Sequence, residues 1–259
     1  MNREFIAIGI GLAILLFAGF GVHAQLVANE QLQTAVNNGV AFLDSQENYD
    51  ATDISVIAIL DSIAPNYQFK QKAVQRVELL DSKHAMWRKW VIGEPILVSE
   101  LSEFETNLKY NLGYARAFSC EPLTNEVIAS LGGYSDNLAE EFGNYNDEHA
   151  LLLLHLYAQC PNANATAPEL AALTQSKVQE LSAQPAAPTL DEKLERFCVL
   201  GLYGVPLTSA QRDEIYSYQQ LDGGWSSDFD VSRNVTSSHA TALALCALIS
   251  DQQNGGLLP

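Results

Sequence analysis

Six of the 14 basic side chains in this chain of 259 residues, Lys70, Lys72, Arg76, Lys83, Arg88 and Lys89, fall within twenty positions and are interleaved with His84, Trp87 and Trp90. Cations beside indole rings can hold an anion, a polysaccharide or a membrane surface, with the rings supplying stacking or interfacial anchoring. Lys83, His84, Trp87, Arg88 and Trp90 are therefore candidate binding residues. The same segment also reads as a helix that turns Val74, Val77, Leu80 and Trp87 to a core and its cations to water. A second pattern is Asp228-Phe229-Asp230, whose paired carboxylates have the spacing to bind calcium or diphosphate-bound magnesium, or simply to solvate a turn. His155, set in a leucine-rich run, reads as a satisfied core histidine. There is no GxSxG, Walker loop, HExxH, GxGxxG or Cys-Gly-Glu-Gln, so the sequence names no reaction.

These residues sit on a chain of globular composition. Hydrophobic residues make up 47% and charged residues only 17%, which argues against disorder and against a polytopic membrane protein. With 31 acidic against 14 basic residues the net charge is -17, so phosphate backbones are repelled and nucleic acid is not an expected partner. At the N-terminus, one basic residue in Met1 to Glu4 precedes an unbroken apolar run from Phe5 to Val22 and the small-residue pattern Val22-His23-Ala24. This predicts a signal peptide over 1–24 followed by one domain over 25–259, secreted or periplasmic. The alternative is an uncleaved anchor on the outer face of the membrane, since 18 helical residues span about 27 Å.

Outside the cytoplasm, Cys120, Cys160, Cys198 and Cys246 favour disulfides over free thiols, and the lack of any CxxC argues against metal binding by cysteine. The repeats described next favour Cys120 with Cys160 and Cys198 with Cys246. Cys246, in an Ala/Leu run, also reads as a buried small hydrophobe. Asn164-Ala165-Thr166 and Asn234-Val235-Thr236 are glycosylation sequons.

From Pro122 the chain reads Pro-Leu-Thr, then Gly132-Gly133-Tyr134-Ser135, then Asp147-Glu148-His149-Ala150 and an apolar run. From Pro206 it reads Pro-Leu-Thr again, then Gly223-Gly224-Trp225-Ser226, then Ser237-Ser238-His239-Ala240 and another apolar run. The landmarks recur at 84, 91 and 90 positions, and a fainter copy around Phe42 lies 174 positions before Tyr216. A period of this kind predicts stacked units. Apolar spacing of three and four after both histidines makes the units helical, and no sustained alternation predicts a sheet. Ten helices are expected, near 28–46, 52–64, 70–91, 99–118, 124–131, 146–159, 168–183, 189–203, 208–220 and 237–250. Thr124, Asp147, Thr189, Ser209 and Ser238 are the expected N-caps. The runs after His149 and His239 are apolar nearly all round and should be inner helices, whereas 99–118, 168–183 and 189–203 mix stripes with charge and should be half-solvated outer ones. The expected fold class is all-α, with stacked helical hairpins forming a partial or closed α/α toroid.

The segment Gln220-Leu221-Asp222-Gly223-Gly224-Trp225 has the Q-x2-G-x-W form of the QW repeat. With the apolar helix that follows, it resembles the repeats of the squalene cyclase and protein prenyltransferase superfamily. The resemblance implies that Gln220 caps a helix end, that Trp225 stacks on it, and that Gly223 and Gly224 give the sharp turn between. Gly132, Gly133 and Tyr134 stand at the corresponding corner of a copy that lacks the Gln. The family's acid motif DxDD is absent, and its toroid normally has about twelve helices.

The prenyltransferase branch holds zinc with ligands at the starts of inner helices, and the resemblance places Asp147, His149 and His239 at comparable positions. Zinc is the one cofactor implied; otherwise none is expected. The repeat equivalence of His149 and His239 equally fits a shared packing role. The expected function is a secreted α/α repeat domain that binds an extracytoplasmic ligand or protein on its concave or central surface. Its partners exclude nucleic acid and include a membrane only through an uncleaved N-terminus. The alternative is an extracytoplasmic enzyme of the same architecture, a polysaccharide lyase or metal-assisted hydrolase.

Overall fold

The helix that ends the described chain, Ser238–Gln253, is built from small and medium apolar residues, and every side chain from Ala240 to Asp251 is buried. No single neighbour can cover such a helix, so it must be enclosed on several sides. A computed structural model of the chain describes residues 27–47, 49, 51–76, 85–97, 99, 101, 109–123, 128, 146–161, 168–184, 187–230 and 235–255. Within these the helices are α1 (27–45), α2 (Ala51–Ile63), α3 (Phe69–Val74), α4 (Ala85–Ile92), α5 (Lys109–Ser119), α6 (Asn146–Ala158), α7 (Pro168–Ala183), α8 (Leu190–Leu202), α9 (Ser209–Ser217) and α10 (Ser238–Gln253). No strand occurs among the described residues, so the chain is all-α as expected. The proposed signal segment, the corner Gly132-Gly133-Tyr134, Lys83, His84 and both sequon asparagines lie outside the described residues.

The enclosure of α10 comes from α2, α8 and α1. Beyond it, α8 packs on α6, α6 on α5 and α7, and α2 on α3 and α4. Helices α4 and α5 meet through rings: Trp90 stacks on Phe118 at 4.1 Å between centroids, and Trp87 lies 5.3 Å from Phe118 and 5.4 Å from Tyr114. Disulfides join Cys120 to Cys160 and Cys198 to Cys246, the expected pairing. The first ties the end of α5 to the end of α6; the second ties α8 to α10 through their buried faces. The bridges are compatible with an oxidising compartment, and among the described residues no helix is long and apolar enough to cross a membrane.

Several sequence expectations shift for identifiable reasons. Thr189 caps α8 by accepting from Glu192 N, as expected. The caps of α9 and α10 lie one residue earlier than expected, at Thr208, which forms a reciprocal box with Gln211, and Ser237, which accepts from Ala240 N. Asp147 lies inside α6 and gives its carboxylate to Lys177 and Gln184 instead of capping. The helix expected over 70–91 is interrupted: α3 stops at Val74, and Arg76 turns its guanidinium to Tyr49 Oη and the Asp44 carbonyl. The largest correction concerns α8, expected to be half-solvated. All but three of its thirteen residues are buried, because it packs on both α6 and α10 and its charges pair with one another inside. By contrast, α7 is the expected outer helix, burying only Leu170, Lys177 and Leu181.

The corner between α9 and α10 locks this packing. The Trp225 side chain is fully buried; its indole Nε1 donates to Ile215 O at 2.8 Å, and its backbone N donates to Thr241 Oγ1 at 2.9 Å. Short antiparallel bridges pair Trp225 with Gln219 and Ser237. Gly223 takes φ +92°, and a β-carbon there would sit 2.6 Å from Asn38 O in α1, so only glycine satisfies both the turn and the contact. Gly224 lies against the Phe42 ring, and Gly39 of α1 is the matching gap for the indole, since a β-carbon on it would approach Trp225 to 2.7 Å. Gln220 donates to Tyr218 O at the C-cap of its own helix, α9. It is the neighbouring Gln219 that reaches across, donating to Ala35 O in α1 and to Gly223 O, both at 2.9 Å.

Trp225→Ala is expected to cost about 3–5 kcal/mol by chemical denaturation, the range for removing a large buried aromatic. Replacing Cys198 and Cys246 together by Ala is expected to cost about 2–5 kcal/mol, because the bridge closes a loop of 48 positions. A cost below about 1 kcal/mol for either would show that this corner or bridge is peripheral to the fold.

Candidate functional site

Three helices begin with side chains that turn toward one another: Glu148 and His149 on α6, Asp191, Glu192, Glu195 and Arg196 on α8, and His239 on α10. A helix N-terminus favours carboxylates electrostatically, which accounts for acids in the first turns of α6 and α8. The caps place them: Thr189 fixes the start of α8, and the Tyr114 and Tyr203 hydroxyls hold the first turns of α6 by donating to His149 O and Leu151 O.

Glu195 stands at the centre. Its Oε1 lies 3.7 Å from His149 Nε2, and the charge of His239 also acts on it. His239 Nε2 is in turn 3.6 Å from Asp191 Oδ2. Both distances are ion-pair separations slightly long for a hydrogen bond. On the other side, Arg196 bridges two acids, with Nε at 3.4 Å from Glu148 Oε1 and an Nη at 3.2 Å from Glu192 Oε1. The histidines form the rim, the His149 side chain being 36% exposed, while Glu195 at 5% and Glu148 at 0% form the floor.

One arginine cannot balance this many buried acids, and the chemistry adjusts by holding protons. Burial pushes Glu195 up to about 8, with Asp191 and Glu192 adding to the rise and His239 opposing it. Burial, then the charge of Glu195, pushes Glu148 up to about 8 against the pull of Arg196. Asp191 and Glu192 are also raised by burial, opposed by His239 and Arg196 respectively. At neutral pH the floor therefore presents carboxylic acids that can donate as well as accept. Three atoms here are buried without a hydrogen-bond partner: Glu148 Oε2, Asp191 Oδ1 and His239 Nδ1. Buried polar atoms are normally satisfied, so three unpartnered atoms in one cluster are unused hydrogen-bonding capacity.

The sequence-derived candidates distribute unevenly. His149 and His239 are brought together through Glu195, but the third proposed zinc ligand, Asp147, faces away and is held by Lys177 at 2.7 Å and Gln184 at 2.9 Å. Among the described residues no group of three or more His, Cys, Asp and Glu side chains is arranged to hold a metal ion. Trp87 and Trp90 are packed into the ring cluster with Phe118, Arg88 is exposed, and Lys72 and Arg76 are tied to Asp44. Asp228 and Asp230 lie in an exposed turn, where Asp228 Oδ1 accepts from Asp230 N. Sequence reasoning missed Glu148, Asp191, Glu192, Glu195 and Arg196, because charges beside a Leu190, Leu194, Phe197 stripe ordinarily mark a wet face. The available signal was the pairing of acids in the first turns of both helices, Asp147 and Glu148 in α6 and Asp191 and Glu192 after the Thr189 cap of α8.

Proton linkage gives the site a measurable signature. Between 4.5, the ordinary glutamate value, and about 8, Glu148 and Glu195 hold protons in the native state that they release on unfolding, so stability should fall as pH rises through this window. Melting temperatures across that range should decline for the wild type and decline less for Glu195→Gln; identical profiles for the two would remove Glu195 from this role. Compared with known proteins, the chain matches no family model, no curated protein and no solved structure.

Proposed function

We propose that this chain is a secreted α/α repeat domain of the squalene cyclase and prenyltransferase type, and that it binds a neutral, hydroxyl-rich ligand at the cluster formed by the starts of α6, α8 and α10. The succession of contacts supports a toroid-like arrangement: α10 packs on α8, α8 on α6, α6 on α5, and the last helix returns to α1 and α2. The observation that carries the binding reading is the set of three unpartnered buried atoms, Glu148 Oε2, Asp191 Oδ1 and His239 Nδ1. Protonated carboxyls supply donors, imidazole and carboxylate atoms supply acceptors, and the single arginine is already engaged by two glutamates. An anionic ligand would meet a chain of net charge -17 at a floor whose arginine is already engaged, so a neutral glycan fits better than a charged one.

A second reading, an extracytoplasmic enzyme acting on the same class of ligand, is favoured by one feature: Glu195 is a buried acid beside His149 and under the influence of His239. That is an arrangement suited to general acid–base work near neutral pH. No resident metal is required by either reading; zinc held by His149 and His239 is the variant to test, by elemental analysis of purified protein before and after His239→Ala.

The test uses neutral oligosaccharides in a glycan array followed by calorimetry. Binding should weaken as pH passes about 8, when Glu148 and Glu195 lose their protons. Glu195→Gln, which keeps a donor, should retain binding at that pH, whereas Glu195→Ala should not. Turnover that drops by about 10²–10⁴ in Glu195→Gln while binding persists would select the enzyme. Absence of any binding sensitive to both Glu195 and His239 would reject the site.

A further inference from the structure

A cavity of about 530 Å³ lies between α6 and α7, away from the carboxylate cluster, with Tyr203 from the end of α8 forming one wall. Its apolar lining is Leu154, Tyr157, Leu170 and Val178, with the small, exposed side chains of Ala158 and Ala171 at its edge. Leu154, Tyr157 and Leu170 are themselves buried in the core, so the walls are set by packing.

Besides Tyr157, five polar residues contribute to this lining; Gln175 and Gln179 are exposed to water at its edge, and two of the other three are already engaged. The Tyr203 hydroxyl donates to Leu151 O at 2.7 Å, and the Thr174 hydroxyl to Leu170 O at 2.8 Å. His155 differs. Its ring meets Tyr203 edge-on at 6.2 Å, and its Nε2 is buried with no hydrogen-bond partner, contrary to the satisfied core histidine that the sequence led us to expect. An imidazole nitrogen left unpaired in an apolar wall costs free energy that a partner on a ligand would recover. Burial lowers the tendency of His155 to protonate, which keeps the wall uncharged. Among the described residues no Lys or Arg lines the cavity, so a carboxylate or phosphate has nothing to neutralise it there.

We propose that this cavity is a binding site for an uncharged, mainly apolar small molecule bearing a single hydroxyl, an alicyclic or aromatic alcohol, whose oxygen partners His155 Nε2. A hydroxyl both donates and accepts, so it matches either tautomer of the imidazole. The volume lies within the range of small-molecule sites. The site is separate from the cluster at the starts of α6, α8 and α10, and it stands whether or not that cluster binds a glycan.

The probe pair is 1-naphthol and naphthalene, titrated by calorimetry and by two-dimensional NMR of the intact domain. The wild type is expected to bind 1-naphthol about tenfold more tightly than naphthalene, the worth of one hydrogen bond. His155→Leu should bring the two probes level without loss of naphthalene binding. Ala171→Trp, at an exposed helix position, should occlude the cavity and abolish both while the melting temperature stays near wild type. Glu195→Gln should change neither affinity. Failure of both probes to bind the wild type, equal affinity for the two, or binding untouched by Ala171→Trp each overturns the proposal.

Discussion

The constraint on which this molecule depends is the complete burial of α10. A helix of Ala, Leu, Thr and Cys has little side-chain bulk, so neighbouring helices approach closely, and several of them are needed to remove its whole circumference from water. That requirement draws α1 and α2 from the beginning of the described chain onto its end. It also explains why the gaps and fillers are matched in pairs: Gly39 with Trp225, Gly223 with the carbonyl of Asn38, Cys198 with Cys246. Even the polar end of α10 is internal, with Asp251 accepting from Leu207 N and from Arg212 to anchor the loop before α9.

The same enclosure sets the electrostatics. Once α8 is held between α6 and α10, the acids at its start have little access to water, and Arg196 is the cation that lies between these helices to offset Glu148 and Glu192. Buried carboxylates without counter-ions protonate, and protonation turns a destabilising cluster into one that can hydrogen-bond in both directions. Natural domains keep such clusters sparingly, since apolar replacements of similar size often stabilise. Their concentration at three helix starts, with unpartnered atoms, is what distinguishes this end of the molecule from the well-satisfied ion pairs elsewhere. Lys177, equally buried, has Asp147 and Glu180 as partners and leaves nothing open.

The periphery is built on a different principle. Helix α7 touches α6 and α8 along a narrow stripe, held by Leu170, Leu181 and the Lys177–Asp147 pair, with the rest of its surface in water. The cavity beside His155 lies along this narrow attachment, between α6 and α7. Where α10 is enclosed by matched surfaces on every side, α7 is attached along one; the contrast follows from side-chain size at the contact.

Much of the fold is legible in the sequence because it is encoded by local periodicity. Helical spacing of apolar residues places α1, α2, α6, α7 and α8 within a residue of their observed bounds and α9 and α10 within three, and the Thr189 cap and the two cysteine pairs stand as expected; the helix expected over 70–91 is broken, and of the stretch 99–118 the described helix is Lys109–Ser119. The candidate site was only half legible. His149 and His239 stood out by repeat position, yet the acids between them looked solvated, since a helix face rich in Asp and Glu is indistinguishable in sequence from one facing water. Which way Asp147 turns, whether Gln219 or Gln220 crosses to α1, and whether His155 finds a partner depend on rotations of a few tens of degrees about helix axes. Those rotations are decided by how the whole set of helices closes around α10, a sum of many weak contacts between distant segments that no local pattern records.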